Sequence, residues 1–83
     1  ILYLEAAGNY VSFVLKNKSL LSRMTFAELE VILPMNKFIR VHRSYMAAVS
    51  AINRIERHEI HINDLQIPVS ESYMANLSSL DKR

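Results

Sequence analysis

Apolar and polar positions alternate with a period of two through most of this chain, and the period lengthens to that of a helix only twice. Ile1 to Glu5 carries Leu2 and Leu4 on one face and Ile1 and Tyr3 on the other, so a strand with two apolar faces at the centre of a sheet is expected. Ala7-Gly8-Asn9 interrupts it with two residue types that tolerate a positive φ, which predicts a tight loop. Tyr10 to Lys16 and Ser19 to Met24 then read as a hairpin turning at Asn17-Lys18. Further strands are predicted from Phe38 to Tyr45, Ala51 to Glu56, Glu59 to Asn63 and Leu65 to Val69. Ile60 and Ile62 should face inward, away from Glu59, His61 and Asn63, and Pro68 assigns its strand to an edge or an end. Met46 to Ser50 fits a helical turn as well as a strand.

The helical period first appears at Thr25. Thr25-Phe26-Ala27-Glu28 has the form of a capping box, and Phe26, Leu29, Ile32 and Leu33 follow at helical spacing until Pro34 ends the run. A second short helix is predicted after Ser70, its stripe formed by Met74, Leu77 and Leu80 and its cap by Ser70, with Asp81-Lys82-Arg83 as a solvated tail. The sum is five to seven short strands and two short helices, a mainly β fold.

Length limits this to one domain with one modest core, since the chain has 83 residues. The chain opens inside an apolar run, without a polar lead-in or an initiator methionine. A naked first strand needs an edge partner, so the expectation is a single domain over 1–83, trimmed from a longer protein and lacking its first strand. No cysteine is present, which removes disulfides, thiolate metal sites and cysteine nucleophiles. No apolar run approaches the roughly 20 residues of a membrane helix.

The net charge of +2 says little, but its distribution says more. Phe38-Ile39-Arg40-Val41-His42-Arg43-Ser44-Tyr45, with Lys37 just before it, gathers three basic residues and a histidine without an acid among them. It reads as a strand delivering a basic tip to a partner. An arginine fork suits phosphate oxygens and the O6/N7 edge of guanine, and Ser44 and Asn9 can position against phosphate. The residues alone leave a second reading open, with Arg40 and Arg43 as solvated surface charges and His42 as a satisfied core histidine. Catalysis is disfavoured. A Ser–His–acid set can be drawn from His42, Ser44 and Glu71, but no glycine-bearing elbow surrounds Ser44, and a single glycine permits no phosphate-binding loop. His58 and His61 lie three apart across a turn, a poor ligand spacing that predicts two solvent-facing histidines. The tyrosines, which alternate with aliphatics, read as core or rim packing.

The segments ILYLEAAGNYV, TFAELEVILP, FIRVHRSY and IPVSESY, in that order, resemble the LytTR-type DNA-binding domain of bacterial response regulators. The resemblance implies an elongated sandwich of small antiparallel sheets with one or two short helices, and no cofactor. It implies a cytoplasmic partner of double-stranded DNA, bound by loops in successive major grooves at paired direct repeats. It also implies a receiver domain in the parent chain and a dimer on DNA, although some relatives are joined to membrane segments. Carried over by position, Asn9 marks one contact loop. Arg43 is the base reader of a second, with Lys37, Arg40, His42 and Ser44 supporting it or touching phosphate. Ser70, Glu71 and Ser72 mark a third. Glu71 departs from the arginine common there, so this contact should be lost or differ in base preference. Ala48 replaces a common asparagine. A rival expectation from another class is a protein-interaction module using an exposed strand edge.

Overall fold

The computed structural model describes residues 1–34 and 36–81; the expected loop residue Met35, the side chains of Ser79, Leu80 and Asp81, and the tail residues Lys82 and Arg83 lie outside that description. Among the described residues, eight strands and two α-helices follow in order: β1 Tyr3–Ala7, β2 Tyr10–Val14, β3 Ser19–Ser22, α1 Phe26–Ile32, β4 Phe38–His42, β5 Tyr45–Ala48, β6 Arg54–Ile55, β7 Glu59–Ile62, β8 Leu65–Pro68 and α2 Met74–Asp81. Single 3₁₀ turns at Val49–Ala51 and Glu71–Tyr73 link the later elements. The first five strands form an antiparallel sheet in the order β3-β2-β1-β5-β4, and the last three form a second in the order β6-β7-β8.

β1 is central, as its two apolar faces require, pairing with β2 on one side and β5 on the other. One face of the large sheet presents Leu4, Val11 and Met46 to Phe26 and Leu29 of α1. The other presents Val41 and Ala47 to Ile60, Ile62 and Ile67 of the small sheet, to Val69 just beyond it and to Leu77 of α2. Leu4, Ile60 and Ile62 are wholly buried, and each such side chain contributes roughly 1.5–3 kcal/mol through removal from water. Pro68 sits in β8, an edge strand, where its missing N–H disrupts no ladder.

α1 begins with the complete capping box. The Glu28 backbone N–H donates to Thr25 Oγ1 at 3.2 Å, and the Thr25 N–H donates to Glu28 Oε1 at 2.9 Å. It ends at Leu33, which is extended (φ −85°, ψ 140°) because Pro34 excludes helical geometry before it.

Several expectations need correction. The first hairpin turns at Lys16-Asn17 and not at Asn17-Lys18, since the Leu15 N–H donates to the Lys18 carbonyl at 2.7 Å. Met46 to Ser50 is strand through Ala48 and then a 3₁₀ turn, so both of its readings hold in succession. Of the predicted 51–56 strand only Arg54–Ile55 is regular strand, with the Asn53 and Glu56 N–H groups still donating to the His61 and Glu59 carbonyls at 2.8 Å. Ile32 is 63 % exposed: seven residues make two turns, and Phe26, Leu29 and Leu33 already fill the stripe that reaches the sheet. Ser70 makes no side-chain cap, because a 3₁₀ turn intervenes before α2 starts at Met74. Asp81 is the last residue of α2 and not part of a tail.

One irregularity bears on function. β4 pairs Arg40 with Met46 but His42 with Tyr45, so a β-bulge at Val41 shifts the register by one. Arg40 therefore stays on the α1 side of the sheet, with Met46, whereas His42 moves to the opposite side, with Tyr45.

Candidate nucleic-acid interface

The basic tip is a tight hairpin turn. β4 and β5 are joined by Arg43-Ser44 alone, and neither residue has a positive φ. His42 fixes the turn from one side of the sheet: its Nδ1 accepts the Ser44 backbone N–H at 3.0 Å, and its ring lies 5.5 Å from that of Tyr45. With Nδ1 accepting, a neutral His42 carries its proton on Nε2. The Ser44 carbonyl accepts the Ala6 N–H at 2.9 Å, which ties the turn to β1.

Arg40 fixes the turn from the other side. Its Nε donates to the His42 carbonyl at 2.8 Å, and one terminal nitrogen donates to the Arg43 carbonyl at 2.7 Å. The other terminal nitrogen lies 3.6 Å from Glu30 Oε2 of α1. The guanidinium sits 4.4 Å from the centroid of the Phe26 ring and 5.2 Å from that of Tyr73, and its side chain is only 17 % exposed. Asn76 of α2 donates to the Arg40 carbonyl at 2.8 Å. A rigid planar fork can satisfy two carbonyls, a carboxylate and two ring faces at once, which an ammonium cannot. Arg40 is therefore the internal brace of the turn. Sequence reasoning groups it with exposed basic residues, yet a signal is present: Arg40 lies two residues from the core-facing Phe38, on the helix side of a strand.

The remaining candidates fall into three places. Gly8 and Asn9 form the β1–β2 turn at the same end of the large sheet as Arg43, because Ala7 pairs with Tyr10 and Ala6 meets Ser44. Gly8 has φ +62°, a Cβ placed on it would meet nothing within 4 Å, and the Asn9 side chain is exposed. Ser70 lies beside this end, its N–H donating to the Val41 carbonyl at 3.0 Å, and Glu71 and Ser72 follow exposed in the 3₁₀ turn whose Tyr73 faces Arg40. Lys37 stands apart. It precedes β4 while Arg43 follows it, a separation of roughly 20 Å at the rise of an extended strand.

Two tyrosines sit behind the turn. The Tyr45 hydroxyl is held above its ordinary value by burial first and then by the Glu5 carboxylate, whose Oε2 accepts its hydrogen bond at 3.4 Å. Tyr3 is raised for the same two leading reasons.

The histidines of the small sheet differ from expectation in part. His58 is exposed, but His61 is half-buried and its Nε2 is 2.8 Å from Glu59 Oε2. Glu56, Glu59 and His61 place ligand-type atoms within 4.8 Å of one another, and Arg54 forms an ion pair with Glu56. Among the described residues no helix is long and apolar enough to cross a membrane.

Two antiparallel sheets, of five and three strands, with turn-borne polar side chains gathered at one end of the larger, recur in a solved DNA-binding domain. The LytTr DNA-binding domain of a Bacillus cereus response regulator superposes with a TM-score of 0.86 at 26 % identity, over 100 % of this chain and 82 % of that one. The family model of the LytTr DNA-binding domain matches residues 1–81, and the chain belongs to this family. It is also 32 % and 31 % identical to the heme-containing CO-sensing transcriptional regulators RcoM 2 and RcoM 1 of Paraburkholderia xenovorans (strain LB400). Those matches cover 96 % of this chain but 33 % of each relative, so the chain spans about a third of their length.

Proposed function

We propose that this chain binds double-stranded DNA sequence-specifically, as the non-enzymatic output domain of a cytoplasmic transcriptional response regulator. The observation that carries the proposal is the exposed Arg43 on a turn braced from both faces, beside the exposed Asn9 on the neighbouring turn. A fixed backbone lets an arginine present its fork to guanine with little entropy left to lose. In this reading Arg43 and Asn9 reach base edges in the major groove. His42 Nε2–H and the Ser44 hydroxyl face phosphate, and Lys37 reaches a distant phosphate. Arg40 supports the turn from within. Ser70, Glu71 and Ser72 form the third contact, where the Glu71 carboxylate repels phosphate and favours the cytosine amino group. A receiver domain in the parent chain and a dimer on paired direct repeats complete the proposal.

Selection of duplexes from a random library by the 83-residue chain is the test. Enrichment of one motif, with affinity falling steeply as salt rises, is the expected result. A specific observation favours a second reading as a protein-interaction module: edge strand β3 exposes Leu20 by 51 % and Leu21 by 71 %. Absence of retention of any duplex at low salt would leave that reading in place of DNA binding.

A further inference from the structure

We infer that Arg23, held over the ring of Tyr10, is an additional DNA contact that grips a backbone phosphate at the outer edge of the interface. The inference rests on the DNA-binding reading above and adds a residue to it.

Register fixes where Arg23 lies. Val11 pairs with Ser22 across β2 and β3, so the next residue, Arg23, stands opposite Tyr10. Tyr10 in turn pairs with Ala7 at the start of the Gly8-Asn9 turn. Arg23 is thus at the same end of the large sheet as Asn9 and Arg43. Its guanidinium lies 5.7 Å from the centroid of the Tyr10 ring, and Tyr10 is 39 % exposed. A ring beneath an arginine restricts its rotamers and leaves its N–H edge outward. The Met24 N–H donates to Ser22 Oγ at 3.2 Å, a bond that spans this residue. Arg23 is exposed, and among the described residues no carboxylate lies within ion-pair distance of it. Arg40 shows the contrast, since every part of its fork is engaged internally.

Spacing decides between a base and a phosphate. In the order β3-β2-β1-β5-β4, the Arg43 turn lies between the fourth and fifth strands and Arg23 on the first. Three and a half strand spacings put them roughly 17 Å apart. We take the row of strands to lie across the major groove, which is about 12 Å wide; a protein whose Arg43 enters the groove then has Arg23 outside it, over the flanking sugar–phosphate strand. Asn9, between the second and third strands, is closer to Arg43 by about 7 Å. Arg23 therefore contributes affinity without sequence information.

Salt titrations of binding to the library-enriched duplex and to a scrambled duplex, for the parent chain, Arg23→Ala and Arg23→Lys, test this. Arg23→Ala should weaken both duplexes by the same factor, on the order of tenfold near physiological salt. It should lower the slope of log affinity against log salt by about 0.9, one phosphate contact. Arg23→Lys keeps the charge and should keep the slope. The enriched motif should be the same for all three. Thermal unfolding of the variants checks that they fold as the parent does. An unchanged slope in Arg23→Ala, or a shift in its preferred bases, overturns the inference while leaving the DNA-binding reading intact. A parent chain that binds neither duplex removes both.

Discussion

Two turns project from the same end of the large sheet, and they are built in opposite ways. The Arg43-Ser44 turn is held by a guanidinium on one face, an imidazole on the other and a backbone bond from β1. The Gly8-Asn9 turn rests on backbone conformation, with Gly8 at φ +62° and empty space around its α-carbon. One turn presents a long charged side chain and so needs a fixed base. The other presents a short amide, whose reach is set mainly by where the chain runs. Rigidity is placed where the side chain is longest.

The Arg43-Ser44 turn is most vulnerable at Arg40. Arg40→Met should remove two charge-assisted hydrogen bonds and both ring contacts, lowering folding stability by on the order of 3 kcal/mol in urea denaturation. Specific DNA affinity should fall with it. Stability loss without any loss of specificity would show that the brace does not serve the reading turn. Arg43→Ala, by contrast, should leave the denaturation midpoint alone and weaken the enriched duplex by about 1–3 kcal/mol, relaxing preference at one base position.

On the other turn, Gly8→Ala meets no atom, so its effect is conformational only: about 1–2 kcal/mol of stability, with Gly8→Asn smaller. An equal loss for both would mean that something other than φ constrains the position. Thr25→Ala removes the α1 cap and should cost about 1 kcal/mol. Because Glu30 and Phe26 of α1 touch Arg40, amide exchange should quicken in the 43–44 turn and not in the 8–9 turn. Smallest is the alkaline effect. Tyr45 and Tyr3 keep their protons longer when folded, so their contribution is complete below the ordinary tyrosine value of 10.0. It is lost progressively above that pH, as the unfolded chain ionises first. Tyr45→Phe should flatten that decline in a stability–pH curve.

Much of the architecture is legible because it follows from period and punctuation. The capping box, the proline stop, the central position of β1 and the inward Ile60 and Ile62 all match their residues. Local sequence does not encode which strands neighbour which. The end of β3 thus gives no sign that Arg23 stands beside Asn9. Nor does it reveal that Tyr73, some thirty residues after Arg40, closes over its guanidinium. Ser70 misleads for a local reason: a serine before an acidic residue resembles a cap until a 3₁₀ turn takes its place. Grouping Lys37 with Arg43 treats nearness in sequence as nearness in space, which an extended strand denies.

The bulge at Val41 has a consequence for redesign. A regular ladder would put Arg40 and His42 on the same side of the sheet, and the extra residue is what lets adjacent polar side chains grip the turn from opposite sides. Residues 38–46 therefore behave as a cassette of fixed length. Exchanging Arg43 or Ser44 within it alters the letters presented to a target, whereas deleting one position would swing His42 toward α1 and dissolve the grip. Transfer of this turn to another β-scaffold must carry the irregularity with it.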